Sequence, residues 1–168
     1  EIQVLESDPA NPIAGQVFYN STTRTLKGAR AGVASDGTWA SGGNLTTARV
    51  RLAGAGTQTA GLAFGGASTT PSAPVQNVSE EYNGSSWAEG NNLNLARRSL
   101  AGAGTQTAAL GFGGYIPPGT AKNESEEYDG TSWAEGNNLN TARGYLAGFG
   151  IQTAALAVGG AKSPSFTL

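Results

Sequence analysis

Residues 82–114 read YNGSSWAEGNNLNLARRSLAGAGTQTAALGFGG, and residues 128–160 read YDGTSWAEGNNLNTARGYLAGFGIQTAALAVGG. A weaker copy, SDGTWASGGNLTTARVRLAGAGTQTAGLAFGG, fills residues 35–66. Trp39, Trp87 and Trp133 stand 48 and 46 residues apart. From each Trp to the next Arg (Arg49, Arg97, Arg143) is ten residues, and from that Arg to the first Gly of the closing pair (Gly65, Gly113, Gly159) is sixteen. A period this long marks a supersecondary unit that cannot bury its own faces and stacks on its neighbours. Length changes only after the glycine pair, with sixteen residues from Gly66 to Tyr82 and fourteen from Gly114 to Tyr128. The intervening segments, ASTTPSAPVQN (67–77) and YIPPGTAKN (115–123), are rich in Pro, Ser and Thr and read as surface loops.

Each unit offers four extended segments, which in the second are 100–105, 107–113, 124–128 and 132–136. Thr105-Gln106-Thr107 joins the first two. Asp129-Gly130-Thr131 joins the last two, and Asp-Gly between apolar runs is a strong hairpin signal. Nothing in the unit has a helical period. On the second segment Ala108, Leu110 and Phe112 share one face, while Ala109 and Gly111 share the other. The neighbouring copies set Ala60, Leu62 and Phe64 against Gly61 and Ala63, and Ala154, Leu156 and Val158 against Ala155 and Ala157. Such sheets stack with the large face of one on the tiny face of the next. The first segment, LAGAGT, suits a crowded hub.

Composition narrows the chemistry. Glycine makes up 26 of 168 residues, without the period of a collagen, and the net charge is −2. A nucleic-acid partner would need a basic stripe, which is absent. No apolar run approaches the ~18 residues of a membrane span, and no signal-peptide pattern opens the chain. Cys, His and Met are all zero, which excludes disulfide, thiolate and imidazole chemistry.

A four-stranded unit with Gly-Gly after its second strand, Tyr on its third and Trp on its fourth resembles the kelch repeat. The residues that carry the likeness are Gly65, Gly66, Tyr82 and Trp87, then Gly113, Gly114, Tyr128 and Trp133, then Gly159 and Gly160. The resemblance extends over residues 35–160 and implies β-propeller blades of the galactose-oxidase-like type. The copper chemistry of that enzyme needs His ligands and a Tyr–Cys cross-link, so its activity does not carry over. Residues 15–27, GQVFYNSTTRTLK, resemble a short hairpin common in bacteriophage virion and tail-fibre proteins, with residues 20–23 as its turn.

The expected fold is therefore all-β: kelch-like blades in an incomplete ring (33–168) behind an N-terminal hairpin module (1–32). Full units fall at 49–96 and 97–142, with partial units at 33–48 and 143–168. A propeller closes with about 4–8 blades. The chain opens without Met and ends part-way through a repeat. It is therefore expected to belong to a longer polypeptide, or to share half-blades with neighbouring subunits.

The three Trp residues read as packing between blades rather than as a glycan platform, because a binding residue need not recur in every repeat. Arg49, Arg97 and Arg143 read as structural partners of Glu80, Glu81, Glu126 or Glu127 rather than as anion ligands. The pairs Glu80-Glu81 and Glu126-Glu127 point to opposite faces of a strand, so neither converges on one atom as catalysis or metal binding demands. No calcium-loop string is present. The glycine doublets are not followed by the Lys-Ser/Thr of a phosphate loop.

These readings predict a non-enzymatic virion protein of a tail fibre or other appendage, without cofactor or metal. Its partners would be other virion proteins, a host glycan or receptor, and further copies of itself. The candidate contact residues lie in the two variable loops: Thr69, Thr70 and Pro71, then Tyr115, Ile116, Pro117 and Lys122. The alternatives are a secreted or surface carbohydrate-binding kelch module of a bacterium, and a non-catalytic part of a larger polysaccharide-degrading enzyme.

Overall fold

The computed structural model describes residues 3–6, 17–28, 41–69 and 74–162, which form β-strands and no helix. The chain divides into two compact units, Glu1–Ser41 and Gly42–Leu168.

The first unit holds β1 (Gln3–Leu5), β2 (Val17–Asn20) and β3 (Thr25–Gly28) in the order β1-β2-β3. The expected hairpin is β2–β3, but its turn lies one residue later than the sequence suggests. Asn20 pairs with Thr25, its side-chain oxygen accepts the Thr23 N–H at 2.9 Å, and Arg24 takes up the reversal at φ 55°. Strand β1 runs parallel to β2 and had no signal in the repeat pattern.

The second unit holds the repeats. The first contributes β4 (Arg49–Val50), β5 (Ala53–Gly56), β6 (Gly61–Phe64), β7 (Ala67–Ser68), β8 (Ser79–Tyr82) and β9 (Trp87–Glu89). The second contributes β10 (Ala101–Thr105), β11 (Ala108–Phe112), β12 (Tyr115–Ile116), β13 (Thr120–Ala121), β14 (Ser125–Tyr128) and β15 (Trp133–Glu135). The third contributes β16 (Gly144–Ile151) and β17 (Ala154–Ala161). Two four-stranded antiparallel sheets, β5-β6-β8-β9 and β10-β11-β14-β15, are followed by the pair β16-β17. The pairs β4-β7 and β12-β13 brace the variable loops. None of these sheets closes on itself. Residues 33–40 of the segment read as a half-unit lie outside the described residues, and 41–43 carry no strand.

Both turns arise from local chemistry. Thr105 pairs with Ala108 across a two-residue turn. The Asp129 carboxylate accepts the Thr131 and Ser132 N–H groups at 2.8 and 2.7 Å, which fixes the bend between β14 and β15. Those bonds hold its pKa below the usual carboxylate value.

The sheets stack as the side-chain sizes require. Phe64, fully buried, lies on the tiny face of the second sheet. A Cβ at Gly102 would stand 2.8 Å from the Phe64 ring and 2.5 Å from the Gly54 carbonyl, and one at Gly111 would stand 2.8 Å from the same ring. Phe112 repeats the contact on the third sheet, where a Cβ at Gly148 would lie 2.8 Å from its ring and 2.6 Å from the Gly102 carbonyl. The first strands β5, β10 and β16 are thus pressed backbone to backbone. Trp133 closes the socket from the side, its ring 4.9 Å from Phe64 and 5.0 Å from Tyr128. Among the described residues no Trp packs beside Phe112. A small cavity of about 60 Å³, lined by Ser125, Asn137 and Leu139 among others, lies where Trp133 packs one repeat earlier.

The stacking predicts an asymmetry between equivalent glycines. Gly102→Ala drives a methyl into the neighbouring backbone and is expected to cost about 1–3 kcal/mol. Gly54→Ala meets only the Leu62 carbonyl, at 3.4 Å, and is expected to change stability by less than ~0.5 kcal/mol. Urea midpoints at constant slope measure both, and equal costs would contradict the stacking.

Two polar devices tie the repeats together. Arg49 and Arg97 are buried and pair with Glu80 and Glu126 at 2.9 and 3.1 Å. Each Arg also caps carbonyls at the glycine pair, Gly65 for Arg49 and Gly113 for Arg97, at 2.8 and 3.0 Å. Each Glu in turn grips the linker arriving from the previous repeat. Glu80 accepts the Thr46 N–H at 2.6 Å and the Thr46 hydroxyl at 2.7 Å, while Glu126 accepts the Asn94 N–H at 2.6 Å. Burial pushes the Glu80 pKa up, but these bonds from Thr46, with those from Thr47 and Arg49, outweigh it and hold the carboxyl below its ordinary 4.5. The second device is the constant Gln of each first turn. Gln106 donates to the carbonyls of Gly61 and Tyr82 at 3.1 and 2.8 Å, and Gln152 to those of Ala109 and Tyr128 at 3.0 and 2.8 Å.

Candidate functional site

The glycine pairs, the buried arginines and both variable loops share one end of the stack, opposite the Gln-bearing turns. At that end three equivalent residues, Arg51, Ser99 and Tyr145, lead into the first strands. All three have positive φ, at 58°, 55° and 59°. A left-handed non-glycine residue costs about 1–2 kcal/mol, and here the cost recurs in every repeat. A ladder across the repeats offsets it, with Ser99 N–H donating to the Arg51 carbonyl and Tyr145 N–H to the Ser99 carbonyl, both at 2.8 Å. The backbone is therefore constant while the side chain changes from Arg to Ser to Tyr. Strain held at a position of variable chemistry points to a functional surface.

The second variable loop joins this position. Tyr115 exchanges backbone hydrogen bonds with Arg98, at 2.8 and 3.1 Å. The Arg98 guanidinium lies 5.7 Å from the Tyr115 ring centre, and Arg51 lies 6.0 Å from that of Tyr145. The two tyrosine rings are 6.2 Å apart. The result is a patch of two cations and two aromatic rings, with Arg51 and Tyr145 exposed. Among the described residues neither Arg51 nor Arg98 has a carboxylate partner. Arg51 and Tyr145 are exposed while Arg98 and Tyr115 are half-buried beneath them, an arrangement that suits a ligand carrying an anionic group on a ring.

The loop-residue expectations divide as follows. Tyr115 lies in the patch, and its hydroxyl donates to the Pro118 carbonyl at 3.1 Å within the loop. Ile116 pairs with Thr120, and exposed Pro117 forms the tip. Lys122 faces Glu124 at 3.7 Å, partly neutralised. Thr69 is exposed at the other loop, while Thr70 and Pro71 lie outside the described residues. Arg51, Arg98 and Tyr145 were not singled out, because they fall inside the repeat rather than in a loop. Their signal was nevertheless present: RVRLAGAG, RRSLAGAG and RGYLAGFG vary at their second and third positions and scarcely elsewhere.

A second concavity, of about 360 Å³, lies between the first two repeats and is lined by Glu81, Glu89, Asn91, Tyr128 and Thr131 among others. Burial, then the hydrogen bond to Glu81 and its charge, raise the Tyr128 phenol far above its ordinary value, so it is a fixed neutral donor and no base. Among the described residues no group of three acidic, His or Cys side chains converges as a metal site would. No helix among them is long and apolar enough to cross a membrane.

No protein-family model matches this sequence, and no curated protein matches it.

Proposed function

We propose that the chain is a non-enzymatic, kelch-like propeller-type component of a bacteriophage virion, carried on a tail fibre or similar appendage. Its Arg51, Arg98, Tyr115 and Tyr145 face contacts a host-surface glycan or receptor. The observation that carries the contact reading is the patch of Arg51, Arg98, Tyr115 and Tyr145, whose arginines have no carboxylate partner among the described residues, set on a strained backbone beside the variable loops. The propeller reading draws support from three successive sheets stacked large face on small face, with their first strands pressed together. The virion reading draws on the likeness of residues 15–27 to the phage hairpin. The non-enzymatic reading draws on the absence of Cys and His, and on the engagement of Glu80 and Glu126 in buried ion pairs.

The ligand chemistry follows from the patch. Guanidinium groups pair with carboxylate or phosphate, and tyrosine faces pack on the C–H face of a sugar ring. An acidic bacterial surface polysaccharide meets both requirements, and repeated display on a particle adds avidity. An array of bacterial surface polysaccharides tests this. The chain is expected to retain acidic members, and the double variant Arg98→Ala/Tyr145→Ala to lose at least about tenfold in affinity, or ~1.4 kcal/mol. Retention of no acidic glycan, or equal retention by the variant, would sink the reading.

A further inference from the structure

The three described sheets present two outer faces that are the two halves of their own internal interface. On the third sheet Phe149, Ile151, Leu156 and Val158 share the face turned away from the second sheet, and they are 58, 58, 66 and 50 % exposed. Leu156 and Val158 are the counterparts of Leu62 and Phe64, which the second sheet buries completely. On the tiny face of the first sheet Gly54 is exposed, while Ala63 and Glu80 are buried. A concavity of about 420 Å³ lies there, lined by Leu45, Leu52, Gly54, Ala63 and Trp87 among others. Gly54, Ala63 and Trp87 are the counterparts of Gly102, Gly111 and Trp133, the socket that receives Phe64. Exposed Gln58 is the counterpart of Gln106 and Gln152, each of which clasps the carbonyls of the preceding sheet.

We infer that the exposed apolar face of β16-β17 docks on the Gly54 concavity of the first sheet of a second copy of this chain, head to tail. The occupant is specified by continuity: the same two surfaces already meet twice inside each chain. The second copy's socket receives Leu156 and Val158, and its Gln58 reaches the carbonyl of Ala155, which stands where Ala109 stands for Gln152. The contact is heterologous, so it builds a ring where the rotation closes and a filament where it does not. The inference is independent of the ligand reading, since the Arg–Tyr patch lies at the end of the strands and not on either face.

Two single substitutions isolate the faces without disturbing the fold. Leu156→Asp removes an exposed apolar side chain. Gly54→Asp places a carboxylate in the socket, where a Cβ meets nothing closer than the Leu62 carbonyl at 3.4 Å. By sedimentation, the wild-type polypeptide is expected to associate, and each variant alone to sediment as a monomer with unchanged thermal midpoint. A mixture of the two variants is expected to form a one-to-one complex, because each retains the half that the other lacks. A monomeric wild type of intact fold overturns the proposal and assigns the faces to other partners. So does a self-associating Gly54→Asp variant, which would mean that like faces pair.

Discussion

Arg97→Ala is expected to destabilise the protein by about 3–5 kcal/mol, close to the whole stability of a marginal domain. The guanidinium is fully buried and holds the Glu126 carboxylate at 3.1 Å and the Gly113 and Gly111 carbonyls at 3.0 and 3.3 Å. Truncation strips these partners together and leaves Glu126 a buried charge with only the Asn94 and Leu95 N–H groups. Desolvation is the larger influence on Arg97 itself and lowers its pKa, with Glu126 and Glu124 opposing it. The cost therefore comes from the orphaned partners rather than from a strong net attraction. Glu126→Gln keeps an acceptor for the linker and is expected to cost less, which provides a folded variant if Arg97→Ala does not fold. Arg143 is the internal control. Among the described residues its guanidinium bonds only the Gly159 carbonyl, in an exposed setting, and Arg143→Ala, which leaves its backbone bonds to Lys122 and Gly114 in place, is expected to cost less than ~0.5 kcal/mol. Chemical denaturation gives all three values. Similar losses at Arg97 and Arg143 would mean that the clamp is not what binds the repeats.

Trp133→Ala is expected to cost about 3–5 kcal/mol, and Trp87→Ala less than half as much. The two residues share a motif and differ in what lies over them. Trp133 is 6 % exposed, covered by Phe64 of the preceding sheet, with its indole N–H 3.4 Å from the Ser79 hydroxyl. Trp87 keeps its contact with Tyr82, ring centres 5.0 Å apart, but is only half-buried and borders the first-sheet concavity. Equal losses would contradict the assignment of Trp to the interface between sheets. A further consequence is that docking of a second copy should raise the cost at Trp87 toward that at Trp133.

The repeat made the scaffold legible because stacking constrains side-chain size, and size is visible in a sequence. The alternation of Phe64 against Gly111, the hairpin at Asp129 and Gly130, and the pairing of Arg with a repeat-borne Glu all follow from strand geometry. Strand alternation even separates the acid pairs: Glu80 turns to Arg49 on the small face, while Glu81 turns from the large face to the Tyr128 hydroxyl of the next sheet. The role of Gln106 was hidden, because a turn residue gives no sign that its amide will cross to another sheet. The strained backbone at Arg51, Ser99 and Tyr145 was hidden for a different reason. A left-handed position is usually betrayed by glycine, and here three non-glycine residues occupy it, held by a hydrogen-bond ladder between repeats that are distant in sequence. The candidate face was consequently half legible, with Tyr115 in a recognised loop and its cationic and aromatic neighbours inside the repeat.

The central claim is that each sheet sets its large residues into the glycine face of the next. Nuclear Overhauser contacts between the Phe64 ring protons and the α-protons of Gly102 and Gly111 test it most directly. The account predicts strong contacts at both glycines, with the Gly111 α-protons shifted upfield between the Phe64 and Trp133 rings. Phe64 contacts confined to its own sheet, with unshifted Gly111 α-protons, would contradict it.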